Sequence, residues 1–120
     1  MDKAEIRRDG ETQKLPFEWG SLTWFANAAL GNSEDMTVGK CVLKPGEGNP
    51  LHYHPNCSEV LVVLQGTIEH VIEEGRTVEL NTGDCINIPV RLPHRARNIS
   101  SDDAILLIAF SSAHRETVEV

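Results

Sequence analysis

The chain has 120 residues, of which 18 are acidic and 11 basic, giving a net charge of −7 with 40% apolar residues. Those figures describe one ordinary globular domain, and the acidic balance excludes a general nucleic-acid binder, which needs a basic face for phosphates. No apolar run nears the roughly 20 residues that span a bilayer, so no membrane partner is expected.

Taken in chain order, Met1 to Arg8 is charged and is followed by no apolar segment, so no secretory leader is expected. Cys41, Cys57 and Cys85 are odd in number and widely spaced. They read as reduced thiols, which places the chain in a cytoplasm. The first 34 residues hold most of the aromatic content, Phe17, Trp19, Trp24 and Phe25. Those side chains are expected to pack across one outer face of the domain. The alternative is that the segment reaches a second subunit, which would make the protein a homodimer.

From Met36 onward the pattern is that of strands, with no helix. Met36 to Lys44 is apolar and β-branched and stops at Pro45-Gly46. Val60 to Leu64 is a continuous apolar run, expected to be buried on both faces. Thr67 to Glu73 and Arg76 to Leu80 flank Glu74-Gly75, a hairpin turn. Cys85 to Ile88 follows a second turn and ends at Pro89, and Ala104 to Phe110 follows the polar turn Ser100 to Asp103. Short strands separated by frequent turns imply an all-β sandwich or barrel.

The residues that bear chemistry fall in two short runs. The first contains His52, His54 and Glu59, and the second, thirty-five residues after Glu59, contains His94. Side chains at i and i+2 of a strand share a face, so His52 and His54 project together and Tyr53 faces away. Glu59, Leu61 and Val63 share one face, as do His94, Ala96 and Asn98. If these faces line one interior, three imidazoles and a carboxylate converge. That donor set suits one divalent transition metal ion (Fe, Mn, Ni, Zn, Co or Cu) rather than Ca or Mg.

The spacing Gly46-(5)-His52-x-His54-(4)-Glu59-(6)-Gly66 resembles the first signature of the cupin family. Gly83-(5)-Pro89-x-Arg91-(2)-His94-(3)-Asn98 resembles the second. The resemblance implies a small antiparallel jelly-roll β-barrel, one cupin domain over 1–120 with its motif-bearing core at about 35–115. It also implies a metal bound by His52, His54, Glu59 and His94. Arg91 stands where the second motif usually has glycine, so the turn is expected to avoid a positive φ.

Around the ligands, His70 shares a strand face with Ile68 and Ile72 and is a candidate general acid or base. Arg91, in the turn before His94, is expected to lean over the mouth and hold an anionic group of the substrate. Cys57 is expected to point away from the site, Cys41 and Cys85 to be small apolar fillers, and Asn49 to make local turn hydrogen bonds. An apolar pocket with a metal favours a small organic, oxygen-chelating or carboxylate-bearing molecule. Cupins include dioxygenases, isomerases, decarboxylases and lyases. The resemblance therefore implies a metal-dependent dioxygenase or an isomerase or lyase, with a non-catalytic ligand-binding or sensing module as the alternative.

Overall fold

The computed structural model describes residues 3–120. After a short 3-10 turn, eleven strands follow among the described residues: β1 (Gln13–Phe17), β2 (Gly20–Ala26), β3 (Thr37–Leu43), β4 (His52–Tyr53), β5 (Glu59–Gln65), β6 (Thr67–Glu73), β7 (Arg76–Asn81), β8 (Cys85–Ile88), β9 (Ala96–Asn98), β10 (Ala104–Phe110) and β11 (Val118–Glu119). All named pairings are antiparallel. One sheet has the order β1-β2-β3-β10-β5-β8, a second β7-β6-β9, and β11 pairs with β4 alone. The fold is the small all-β jelly roll that the resemblance to cupins implies. No described helix is long and apolar enough to cross a membrane.

Alternation builds the core. Strand β10 buries Ala104, Leu106, Ile108 and Phe110 and turns the intervening residues outward; β3 buries Thr37, Gly39, Cys41 and Leu43 in the same way. Leu61 and Val63 of β5, Ile68 of β6, Leu80 of β7 and Ile88 of β8 join them in one apolar cluster, so the two larger sheets pack face to face. Between β6 and β7 the chain turns in two residues, with Gly75 at φ +74°, a conformation that glycine adopts freely. Asn98 is fully buried but satisfied, donating to the carbonyls of Leu43 and Asp102.

Two expectations change here. Strand β5 is buried on one face only: Val60 and Leu64 are 43% and 51% exposed, because no second layer of the described residues covers them on the outer face of the six-stranded sheet. Of the N-terminal aromatics, Phe17, Trp19 and Trp24 line an internal cavity instead of lying across an outer face. Strands β1 and β2 extend the six-stranded sheet beyond β3, so alternation turns Trp24 inward, where it is 4% exposed and meets Phe110 edge-on at 6.0 Å. Trp24 lies opposite Gly39, where any β-carbon would sit 2.4 Å from the indole. Glycine is what allows the ring to lie against the neighbouring strand.

Candidate metal centre

Local pairing brings the two histidine runs together. His52 and His94 face each other across an antiparallel bridge and exchange both backbone hydrogen bonds, at 3.1 and 2.8 Å. Their rings lie 4.3 Å apart between centroids. His54 follows two residues later, and its carbonyl accepts the Arg91 N–H at 3.0 Å, which ties the turn before His94 to the first run. Glu59 opens β5 between Phe110 of β10 and Ile88 of β8, with its carboxylate turned inward. One donor atom from each of His52, His54, Glu59 and His94 lies within 4.8 Å of the others.

The imidazole protons are fixed by the main chain. Nδ1 of His52 lies 2.7 Å from the Pro50 carbonyl, Nδ1 of His54 2.8 Å from that of Glu116, and Nδ1 of His94 2.9 Å from that of Leu92. A carbonyl only accepts, so each Nδ1 carries the hydrogen and each neutral ring presents its Nε2 lone pair. The Nε2 atoms of His54 and His94 then stand 3.2 and 3.1 Å from the same Glu59 oxygen, lone pair against lone pair. His54 Nε2 is buried without a hydrogen-bond partner. A divalent cation resolves this arrangement, and outer carbonyls that orient imidazoles are the usual support of such a site.

The electrostatics agree. Burial, reinforced by His94, lowers the His52 imidazole to about 4, which keeps it a neutral donor. Burial by itself would raise the Glu59 carboxyl, but its close contacts with His54 and His94 outweigh burial and hold the group at about 2.

The four donors open onto a cavity of about 230 Å³ whose wall includes Trp24, Cys41, Leu61, His70, Leu106, Ile108 and Phe110. His70 is fully buried and stacks on His94 with centroids 5.5 Å apart. Its Nδ1 meets the Val71 carbonyl at 2.6 Å, so its Nε2 lone pair is the free one, buried and without a partner. Burial depresses its pKa, so the ring is neutral near pH 7.

Other residues differ from the sequence reading. Arg91 is exposed and does not line the cavity, and it adopts φ +71° after all, the only described non-glycine residue with a positive φ. The physical reason is the turn, in which Arg91 is the third residue of Pro89–Leu92, closed by the Leu92 N–H to the Pro89 carbonyl at 3.3 Å. That position of a type II turn requires positive φ whatever the side chain. Asn49 lines the cavity and accepts the Ala96 N–H at 3.0 Å, a bond across to β9 rather than a local one. Cys85 is exposed rather than a filler, while Cys41 is buried in the cavity wall, its thiol pushed up to about 12 by burial and by Glu59. Cys57 is buried but stands outside the group of four donors.

The C-terminal segment was absent from the sequence reading of the site. Arg115, Thr117 and Glu119 all line the cavity, and β11 pairs with the histidine strand β4. Asn56 holds the segment from below, donating to the His114 carbonyl at 2.8 Å and accepting the Glu116 N–H at 3.0 Å. Nothing in the spacing of residues 114–119 signals this, because the contacts are made by main chain and by a strand of two residues.

Residues 39–110 match the cupin domain family. Germin-like protein subfamily 3 member 3 of Arabidopsis thaliana is 38% identical over 94 residues, covering 74% of this chain and 44% of its own length. The polyketide synthase CurC of Streptomyces cyaneus is 32% identical over 74 residues, or 62% of this chain and 47% of its own. The chain thus spans less than half the length of these curated relatives. Among solved structures, a mutant of Bacillus subtilis oxalate decarboxylase superposes with TM-score 0.85 at 22% identity, covering 95% of this chain and 32% of that one. A formate complex of Lactobacillus farciminis oxalate decarboxylase gives 0.84 at 21% identity, over 92% of this chain and 34% of that one. At that identity the likeness is one of fold.

Proposed function

This chain belongs to the cupin family, and from that premise we propose that it is a metal-dependent enzyme acting on a small oxygen-chelating organic substrate. His52, His54, Glu59 and His94 would hold one divalent transition metal ion. The observation that carries the reading is the set of three Nδ1–H···O=C bonds, which leaves three Nε2 lone pairs converging on a buried carboxylate. Bound there, the ion would supply Lewis-acid stabilisation of negative charge on a substrate oxygen. Four protein donors leave further positions for that oxygen.

The chain's own residues favour proton-transfer chemistry of the isomerase or lyase kind. His70 presents a neutral, unpartnered Nε2 inside the cavity beside His94, the place and the state of a general base. Apolar walls from Leu61, Leu106, Ile108 and Phe110 exclude water from that proton. Manganese is the first ion to try, since the Bacillus subtilis oxalate decarboxylase of the same fold is described as having Mn(II) centres.

Elemental analysis of protein purified without added metal tests the centre. About one transition metal per chain is expected, lost in His52→Ala and His94→Ala. Absence of metal from the wild type, even after reconstitution with Mn(II), Fe(II) or Zn(II), would sink the reading. Candidate acids turned over with no oxygen uptake support isomerase or lyase chemistry, and turnover that consumes oxygen assigns a dioxygenase instead. Ligand binding with no turnover leaves a non-catalytic sensing module. His70→Gln should retain metal and lose most of the turnover.

We also propose that a second copy of the chain is the partner that covers the outer face of the six-stranded sheet, where Val60 and Leu64 are exposed. A Val60→Lys, Leu64→Lys variant should then run as a monomer in light scattering while the wild type runs as a dimer. Three free cysteines, two of them buried, fit the reducing cytoplasm as its location.

A further inference from the structure

The cavity contains a cation whose partner is missing. Arg115 lies in its wall, with the guanidinium carbon 4.4 Å from the centre of the Trp24 ring and 5.3 Å from that of Phe110. Cation–π contact with two rings inclined at 64° to each other restrains the guanidinium. One of its nitrogens donates to the Thr117 hydroxyl, which leaves its other N–H groups without a protein acceptor among the described residues. No described carboxylate forms an ion pair with it. A guanidinium with five donors, partly removed from water and paired with a single hydroxyl, is an incomplete structural element.

Its position relative to the metal donors is equally specific. Phe110 is a shared neighbour, with its ring 5.0 Å from the His54 ring and in contact with the Arg115 guanidinium. Glu59 is near enough for its charge to favour the charged arginine against the effect of burial. Among the described residues, Arg115 is the only Lys or Arg lining the cavity. With a divalent ion held by Glu59 and the histidines, the cavity has a net positive charge even when the rim carboxylate of Glu119 is counted. That field selects an anion.

We propose that Arg115 is the substrate-specificity residue of this site, binding a carboxylate at one end of a short organic acid whose other end offers oxygen to the metal donors. The substrate class is a small dicarboxylate or oxo-acid with an apolar middle that fits against Leu106, Ile108 and Phe110. The proposal rests on the metal centre being real, but the arginine can be tested apart from it. A planar guanidinium matches a carboxylate with two parallel hydrogen bonds, and lysine, a point charge, reproduces the attraction without the fork.

The test is calorimetric titration of the Mn(II)-loaded protein with malonate, succinate, glutarate and adipate, on wild type, Arg115→Gln and Arg115→Lys. The best-fitting acid should bind at least tenfold more weakly to Arg115→Gln, with partial recovery in Arg115→Lys and equal manganese content in all three. Equal affinity across the three proteins would overturn the proposal, as would failure of every acid to bind the loaded wild type. If Arg115→Gln does not fold, the ratio of wild type to Arg115→Lys decides, with at least a threefold loss expected. If the wild type takes up no metal, the metal reading fails by itself. The same titration on the metal-free protein then decides for or against Arg115.

Discussion

Replacing Arg91 by glycine should stabilise the protein. The residue is exposed, its side chain forms no hydrogen bond or ion pair, and its φ is +71°. An L-residue held in the left-handed region costs on the order of 1–2 kcal/mol, which glycine avoids because it lacks Cβ. Glycine also gives the unfolded chain more freedom, an opposing effect of about 0.4–1 kcal/mol. The net gain is about 0.5–1 kcal/mol, or roughly 2–5 °C in Tm for a chain of this size. Arg91→Ala keeps Cβ and the strain, so it should stay within about 0.5 kcal/mol of wild type. Denaturant melts of the three proteins, at equal metal content, measure the effect. A glycine variant no more stable than wild type, or an alanine variant that gains as much, would refute the strain argument.

Acid should weaken the metal-free protein in two stages. His52 in the folded state titrates near 4, below its ordinary value, so the unfolded chain takes up its proton first and stability falls as pH drops from about 6.5 toward 4, by up to roughly 3 kcal/mol. Glu59, held at about 2, adds a second loss as pH drops from about 4.5 toward 2. Melts at pH 7.5 and 4 that give one unchanged stability would contradict the His52 sign, and no further loss between pH 4 and 2.5 would contradict that of Glu59. Asn56→Ala removes the two hydrogen bonds that hold the segment behind His54. It should weaken metal binding about tenfold in chelator competition while leaving the circular dichroism spectrum intact, and an unchanged affinity would show that the segment does not orient the ligand.

The four candidate donors were legible because strand alternation and motif spacing are one-dimensional properties. His52, His54, Glu59 and His94 needed only a period of two and the right number of intervening residues. His70 was legible in placement for the same reason. What escaped were features set by sheet order. Trp24 lies inside because β2 joins the edge of β3, and no periodicity in residues 1–34 announces that pairing. The continuous apolar run of β5 predicted two covered faces, yet an apolar outer face looks the same in sequence whether another layer or another molecule lies on it. The turn at Arg91 shows the opposite case: its backbone is dictated by the pairing on either side of it, and the residue type yields.

The hydrogen bond between His54 and the Glu116 carbonyl makes the end of this structure a reporter on its centre. Binding free energy and local order are reciprocally linked there, so whatever factor the ordered segment contributes to metal affinity, the metal returns as protection of the segment. The amides of His52 and Val120, bonded to His94 and Leu51 carbonyls, belong to the same unit. Hydrogen exchange at Val120 should therefore slow when Mn(II) is added and speed up when it is chelated, while exchange in β3 and β10 stays constant. Protease sensitivity near Arg115 would follow the same course, giving a readout of metal occupancy that needs no knowledge of the substrate.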